Sequence, residues 1–167
     1  MSTAIPSHDV VVVHETDAEV LGSGQVIGRL YADSSATGGA LSSQRITLLG
    51  GASGATPHHH NGSSELFYVA SGAAEFLAAE RVVTATAGDL VVVPAGTTHA
   101  FAAAAGTDAD LLIIITPGVE RFEYFRHLQR IATGQATLES ILEVQDRYDN
   151  YFDDSPVWQQ TLAARLS

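Results

Sequence analysis

The sequence predicts a mainly β fold, an antiparallel sandwich or barrel, that ends in a helical extension. Short stretches rich in β-branched residues recur at close spacing up to Pro117-Gly118, and Gly, Pro and Asn turns separate them. After Pro117-Gly118 the apolar residues change to helical spacing. We therefore expect residues 1–118 to form the barrel and residues 119–167 to form a helical extension packed on it, within one domain.

The predicted strands follow β-branched or alternating apolar segments and stop at turn residues. In chain order they comprise residues 10–13, 25–31, 44–49, 73–79, 81–85, 89–93, 99–103 and 111–116. The connections include a turn at residues 21–24, a loop at residues 32–40 and a break at residues 50–55. Such short strands at close spacing are typical of antiparallel sheets that close on themselves.

The extension is predicted to hold three helices. The first carries an apolar stripe and ends at Gly134; the stripe consists of Phe122, Phe125, Leu128 and Ile131. Thr137 is expected to cap the second helix, whose stripe is Leu138, Ile141, Leu142 and Tyr148. Ser155-Pro156 predicts the start of the third. Phe122 and Phe125 are either ordinary core or a cover over the barrel mouth, and the sequence leaves both interpretations open.

Composition excludes several classes of partner and chemistry. The net charge is −11 and every basic residue is arginine, so nucleic acid and anionic membrane surfaces are excluded as expected partners. The chain has no cysteine, which excludes disulfide and thiol chemistry. The longest apolar run, residues 111–115, is too short to cross a bilayer. Residues 1–13 lack the basic and apolar regions of a signal peptide, and we expect a cytoplasmic protein.

Residues 57–72 carry the first candidate site. His58 and His60 lie two residues apart, so in a strand they project from one face and His59 projects from the other. Asn61-Gly62 predicts a hairpin turn that brings Glu65 opposite the two imidazoles. Two neutral imidazoles and a carboxylate from adjacent strands make a site for a divalent transition metal.

A second segment, residues 88–99, reads GDLVVVPAGTTH. Together the two segments resemble the two motifs of the cupin family, G(x)5HxH(x)3–4E(x)6G and G(x)5PxG(x)2H(x)3N. Two positions depart from the motifs: Ala52 replaces the first glycine and Ala103 the last asparagine. The resemblance covers about a third of the chain and implies a single jelly-roll β-barrel.

The resemblance also implies a ligand set and a function. In cupins of this kind the metal ligands correspond to His58, His60, Glu65 and His99, and the ion is one divalent Fe, Ni, Mn, Co, Cu or Zn. The Pro117-Gly118 segment with Phe122 is similar to that of quercetin-dioxygenase-like cupins, in which the residue matching Glu65 also accepts a substrate proton. This implies a metal-dependent dioxygenase. The alternatives are a non-redox metal-dependent cyclase or isomerase of secondary metabolism, and a non-catalytic binder of a small molecule.

Strand parity nominates further residues around the ion. Phe67 and Val69 share the face of Glu65, and Phe101 shares the face of His99, so these three are the predicted walls of a substrate pocket. A mostly apolar pocket with an ion predicts a small aromatic or enolic substrate. Ordinary barrel packing is the alternative role for these three side chains. By resemblance to small cupins, and because of exposed sheet edges, we expect a homodimer.

Overall fold

The computed structural model describes residues 9–167 and shows one strongly curled antiparallel sheet, a half-barrel, with short helices after it. Within these residues the strands are β1 Glu19–Ser23, β2 Val26–Ala32, β3 Ser42–Leu48, β4 Ser53–His59, β5 Ser64–Ala78, β6 Arg81–Thr86, β7 Leu90–Val93, β8 His99–Ala103, β9 Ala109–Thr116 and β10 Tyr151–Phe152. The predicted fold class, mainly β with helices at the C-terminal end, is confirmed.

The order of the paired strands is β1-β2-β3-β9-β5-β8-β4-β10, and β6 and β7 both pair with β5. The long strand β5 joins the two walls of the sheet. Its first half lies between β9 and β7, and its second half lies between β8 and β6. Consecutive strands β4 and β5 are not paired in the described chain, so the predicted hairpin between them is wrong, and the turn at Asn61-Gly62 connects the two walls instead.

Gly72 lies in β5 where its pairing changes from one wall to the other. Its φ is +75°, and a Cβ atom built there would lie 1.9 Å from the carbonyl oxygen of Asp108. Only glycine combines this backbone conformation with so close a contact to a neighbouring chain segment. The motif glycine is therefore the residue that lets one strand serve both walls.

The main hydrophobic core is built from β3, β5, β7, β8 and β9, and at its centre are aromatic rings from two strands. Phe67 lies with its ring centroid 5.1 Å from that of Phe76 and 5.2 Å from that of Phe101. Aliphatic side chains complete this cluster, among them Leu48, Val69, Val93, Leu111 and Ile113. The inward-facing positions of the strands thus form one packed interior.

The helices are α1 Phe122–Ala132, α2 Gln145–Tyr148 and α3 Pro156–Ala163, and 3-10 turns lie at Glu15–Asp17, Ser34–Thr37, Glu139–Val144 and Ala164–Leu166. The first and third were predicted, and the Ser155 side chain caps α3 by accepting from the Trp158 amide, at 3.2 Å. Among residues 9–167 no helix is long and apolar enough to span a membrane.

The C-terminal segment packs on the sheet at several places. β10 pairs with β4 and brings Tyr151 opposite His59 and Phe152 opposite His58. Trp158 of α3 is buried against β5 and β8 side chains. Arg126 of α1 forms an ion pair with Glu19 of β1, at 2.6 Å.

Four local predictions are corrected by the structure. Residues 10–13 form no strand; the exposed fractions of Val10 and Val12 are 88% and 69%, because within the described chain this apolar run has no neighbouring strand to pair with. Residues 21–23, predicted as part of a turn, belong to β1, and β4 begins at Ser53 inside the predicted break. The second helix is mostly a 3-10 turn that Thr137 does not cap, and Leu138 and Leu142 are exposed.

Candidate metal centre

Four side chains predicted as ligands meet in one buried cluster. His60 Nε2 lies 3.0 Å from Glu65 Oε2, His99 Nε2 lies 2.6 Å from it, and His58 Nε2 lies 3.9 Å from it. The ligand atoms of all four residues are within 4.8 Å of one another, and each residue is at most 4% exposed. The four side chains are therefore close enough to bind one ion.

The pairing of the strands explains how residues distant in sequence converge. His58 of β4 and His99 of β8 are direct partners in the ladder, and their ring centroids lie 4.2 Å apart. His60 follows the end of β4. Glu65 stands near the start of β5 on the other wall, between Val93 and Ile115. The curled sheet places these two walls face to face, so the carboxylate meets the three imidazoles.

The tautomer of each imidazole follows from its Nδ1 contact. His58 Nδ1 lies 2.8 Å from the carbonyl oxygen of Thr56, and His99 Nδ1 lies 2.9 Å from that of Thr97. His60 Nδ1 lies 2.6 Å from the carbonyl oxygen of Asp149. A carbonyl oxygen only accepts, so each Nδ1 carries the proton and donates it. In the neutral rings, each Nε2 therefore presents a lone pair to the cluster.

Three nitrogen lone pairs and one carboxylate oxygen thus converge in a buried space. At 2.6 and 3.0 Å, acceptor atoms repel each other unless a proton or a cation lies between them. Imidazole nitrogen and carboxylate oxygen are ligands for first-row divalent ions, and backbone carbonyls commonly orient such histidines through the other ring nitrogen. The donor set and its supporting hydrogen bonds fit a transition metal ion.

The electrostatics of the cluster keep these groups ready to bind a cation. Burial lowers the pKa of His58 well below its usual value, and the neighbouring imidazoles of His99 and His60 lower it further, against the opposing effect of Glu65. Burial alone would raise the pKa of Glu65, but the imidazoles of His60 and His99 outweigh it when a proton lies between their Nε2 atoms and the carboxylate, and they hold that pKa well below its usual range. An unprotonated His58 and an ionised Glu65 are the forms that bind metals.

Asp149 holds the turn that carries His60. Its carboxylate accepts from the amides of Asn61, at 2.7 Å, and Gly62, at 2.8 Å. Its own backbone is left-handed, with a φ of 49°, which directs the carbonyl oxygen to His60 Nδ1. The turn of the second motif is attached to the first as well, because the Gly96 amide donates to the carbonyl oxygen of His60, at 2.6 Å.

A narrow cavity adjoins the cluster on the side of Glu65. Residues from β3, β5, β9 and the start of α1 line it: Ser42, Ser43, Gln44, Glu65, Ile113, Ile115, Arg121, Phe122 and Phe125. Phe122 and Phe125 line this cavity, and Phe125 also packs against the hydrophobic cluster of Tyr124, Ile141 and Tyr148, so both roles considered for this pair stay open. The cavity gives the Glu65 carboxylate a neighbouring space in which a ligand atom can lie.

The other predicted residues lie elsewhere. Phe67, Val69 and Phe101 are buried in the main core, and Phe67 contacts the ring of His99 at a centroid distance of 6.1 Å. None of the three lines the cavity beside Glu65. Their role as pocket walls stays a prediction. His59 points away from the cluster, as strand parity requires, and its Nδ1 lies 2.8 Å from Asp153 Oδ2.

Two residues of the site were missed by the sequence analysis. Asp149 acts across 89 residues of sequence and belongs to no motif. Arg121 belongs to the segment that resembles dioxygenase-like cupins, but the sequence assigned it no role. Its position directly after Pro117-Gly118 and Glu120, at the start of a helix of aromatic residues, is the one signal that pointed to it.

The chain was compared with protein families, curated sequences and solved structures. Residues 44–115 match the family model of the cupin domain. No curated protein sequence matches the chain significantly.

Among solved structures, the chain is similar to a predicted oxalate decarboxylase from Thermotoga maritima, with 24% identity, a TM-score of 0.56, and coverage of 64% of this chain and 98% of the other. It is similar to the polyketide cyclase RemF from Streptomyces resistomycificus, with 19% identity, a TM-score of 0.54, and coverage of 65% and 80%.

It is also similar to the nucleoside dehydratase Pac13, from Streptomyces, with 18% identity, a TM-score of 0.53, and coverage of 65% and 83%. At these identities the likenesses establish the fold alone. The described chain shares the fold of these structures, a strongly curled antiparallel sheet, and the match to the cupin domain model covers residues 44–115.

Proposed function

We propose that the chain is a mononuclear metal-dependent enzyme that acts on a small aromatic or enolic metabolite, with Glu65 as its general base. The observation that carries the proposal is the convergence of three Nε2 lone pairs on the carboxylate of Glu65 in a buried cluster. A narrow cavity of about 10 Å³, room for roughly one water molecule, adjoins that carboxylate, and a polar group of the substrate is proposed to enter there. Structural metal sites are usually closed, whereas a site with an adjoining space suits catalysis.

The proposed ligands are His58, His60, Glu65 and His99, and the ion is divalent Fe, Ni, Mn, Co, Cu or Zn. When bound, such an ion supplies Lewis acidity and open positions for a substrate hydroxyl or for dioxygen. The three imidazoles are oriented in advance by Thr56, Asp149 and Thr97, so binding requires little rearrangement of the side chains.

Glu65 is proposed to move the proton. Both of its short contacts to imidazoles use Oε2, and the residue also lines the cavity. A substrate hydroxyl in the cavity would lie within reach of the carboxylate, which takes the proton and leaves an enolate. Burial among apolar side chains strengthens such an electrostatic interaction.

Dioxygen-dependent cleavage is the reaction we propose first, because the Pro117-Gly118 segment resembles that of quercetin-dioxygenase-like cupins. A non-redox cyclase or isomerase is the second candidate. It is supported by the similarity to a polyketide cyclase and a nucleoside dehydratase, neither of which is described as a dioxygenase. Proton removal by Glu65 is common to both reactions, so the two candidates differ in whether dioxygen is consumed.

The experiment is a substrate screen on protein loaded separately with each of the six ions. Oxygen uptake and product mass are recorded over flavonols and cyclisable polyketides, with ¹⁸O₂ as the label. Two labelled oxygen atoms in the product support the dioxygenase, and a product of unchanged or water-shifted mass without oxygen uptake supports the second candidate. Binding without turnover by any loaded form would contradict the proposed enzyme and leave a small-molecule binder.

The role of Glu65 is tested by Glu65→Gln, which keeps the shape and one oxygen donor but removes the basic carboxylate. Turnover per bound metal should fall by about 10²- to 10⁴-fold, the usual contribution of a positioned base. His59→Gln, which alters an imidazole outside the cluster, is the control. Unchanged turnover per bound metal in Glu65→Gln would mean that the residue is only a ligand.

We also propose a homodimer. Apolar side chains on the outer surface of β5 and β7 remain exposed, among them Tyr68, Leu90 and Val92, at 42%, 57% and 55%. A second copy packed on this face would remove them from water. Light scattering at micromolar concentration should give twice the monomer mass, and Leu90→Asp combined with Val92→Asp should shift it to the monomer. A monomeric parent would refute the proposal.

A further inference from the structure

Arg121 is a buried arginine whose guanidinium is largely unpaired. The residue is 5% exposed and immediately precedes α1. Among residues 9–167 the one hydrogen bond of its guanidinium runs from Nη2 to Asn150 Oδ1, at a long 3.4 Å, and its Nε and Nη1 atoms have no acceptor there. A buried charged donor without an acceptor is strongly disfavoured, so this position calls for a partner.

Two aromatic rings stabilise the guanidinium charge through cation–π contacts, but they do not replace the missing hydrogen-bond acceptors. The guanidinium carbon lies 5.2 Å from the ring centroid of Tyr124 and 5.3 Å from that of Phe125. Such cation–π contacts hold an arginine side chain in place. They leave its planar fork of N–H groups available for a carboxylate or another oxyanion, which it can bind through two parallel hydrogen bonds.

Arg121 belongs to the wall of the cavity beside Glu65. Arg121 and Glu65 line the same cavity, together with apolar side chains such as Ile113, Ile115 and Phe122. The metal cluster and the arginine therefore border one space from two sides. The space holds only about 10 Å³, so a single polar group of a ligand would lie between the two.

The charges of the site favour a negative ligand. Glu65 contributes one negative charge and Arg121 one positive charge, and a divalent ion on the three neutral imidazoles leaves an excess of two positive charges. No other charged side chain lines the cavity in the described chain. In a buried space, where charges are poorly solvated, such an excess is offset best by an anion that binds there.

We infer that Arg121 is the anion-recognition residue of the site and that the substrate carries a carboxylate or enolate oxygen that binds its guanidinium. The inference rests on the proposed function, because it places the substrate between Arg121 and the metal cluster. It narrows the substrate class from enolic or aromatic metabolites in general to those that are acids or become enolates in the site.

The test compares carboxylates with their neutral amides, which have nearly the same shape. Acetate, pyruvate and benzoate are titrated against acetamide, pyruvamide and benzamide by calorimetry, on protein loaded with redox-inert Zn²⁺ and on metal-free protein. The parent should bind at least one carboxylate about tenfold or more tightly than its amide, as a charge-assisted bidentate contact implies. Arg121→Gln should remove that preference, and Arg121→Lys, which keeps the charge but loses the fork, should retain part of it.

Arg147→Gln is the matched control. Arg147 is exposed and also faces an aromatic ring, Tyr148, with its guanidinium carbon 5.2 Å from the centroid, but it does not line the cavity. This variant should bind like the parent. Metal content and circular dichroism are measured for every variant, so that a loss of fold or of metal is recognised.

The inference is overturned if the loaded parent binds carboxylates and amides equally, or if Arg121→Gln keeps the preference; water alone then satisfies the arginine. These outcomes are distinct from failure of the proposed function. A parent that takes up no metal but still prefers carboxylates in an Arg121-dependent way would remove the enzyme proposal and retain the anion site.

Discussion

The Nδ1 atom of His60 lies 2.6 Å from the main-chain carbonyl oxygen of Asp149, a residue of the C-terminal segment that belongs to neither motif. The same residue accepts from the amides of Asn61 and Gly62 through its carboxylate. One residue of the C-terminal segment therefore fixes the tautomer of a proposed metal ligand and the conformation of the turn next to it. The helical extension is thus part of the site.

Removing the Asp149 carboxylate should weaken metal binding. Asp149→Gly tolerates the left-handed φ of 49° but leaves the two turn amides without their acceptor. Loss of such an outer partner typically lowers metal affinity about 10- to 100-fold. Competition with a chelator measures it. Asp149→Asn keeps only one of the two acceptor oxygens and should bind with an affinity between those of the parent and Asp149→Gly. Asp146→Ala alters a neighbouring carboxylate and should bind like the parent. Equal affinity in Asp149→Gly and the parent would show that the turn does not need this carboxylate.

Gly72 offers a second prediction, on stability. Gly72→Ala places a methyl group in a backbone conformation with positive φ and within 1.9 Å of the Asp108 carbonyl oxygen. Gly134 has the same φ of +75°, and no atom lies within 4 Å of a Cβ added there. Gly134→Ala therefore measures the cost of the backbone conformation without the steric clash. We expect about 1 kcal/mol of destabilisation for Gly134→Ala, as a non-glycine residue in this region costs about 1–2 kcal/mol, and several kcal/mol more for Gly72→Ala.

Urea denaturation of the two variants and the parent measures the difference. If Gly72→Ala costs no more than Gly134→Ala, then β5 adjusts its path easily, and the role of this glycine in joining the two walls is wrong.

The buried phenol of Tyr124 should make the free energy of unfolding fall at alkaline pH. Burial raises its pKa to about 12, against the opposing effect of Arg121, whereas the phenol of an unfolded chain ionises near pH 10. Between these values the unfolded state releases a proton that the folded state keeps. The contribution is therefore fully present below pH 10 and is lost as the pH rises toward 12, by about 2–3 kcal/mol in total.

Denaturation midpoints between pH 9 and 11.5 test this. Tyr124→Phe should lose part of the alkaline slope of the parent, whereas Tyr68→Phe, at a half-exposed position, should retain it. Equal slopes in Tyr124→Phe and the parent would contradict the assignment.

The sequence was sufficient for the features that depend on local spacing. His58 and His60 share a face because the strand period is two, and the motif positions of Glu65 and His99 follow from their glycine and proline punctuation. The predicted barrel and the helices α1 and α3 follow from the same periodicities. These features depend on residues close together in the chain, whose mutual geometry is set by one strand, turn or helix.

Contacts between segments distant in the chain could not be predicted from the sequence. Asp149 reaches His60, and Arg121 reaches the cavity, only because β10 and α1 pack on the sheet, and neither contact has a spacing that a single sequence shows. The errors have a related cause. Residues 10–13 have the composition of a strand, but a strand forms only where a neighbouring strand completes its hydrogen bonds.

The central claim is that His58, His60, Glu65 and His99 bind one metal ion, and the direct measurement is metal content by elemental analysis after purification and after reconstitution with each of the six ions. The parent should bind about one equivalent of a first-row ion per chain, as expected for a single site. His60→Ala combined with His99→Ala should bind almost none, whereas His59→Ala, which alters the histidine between two ligands, should bind like the parent. Full occupancy in the double variant, or no uptake by the parent, would contradict the account.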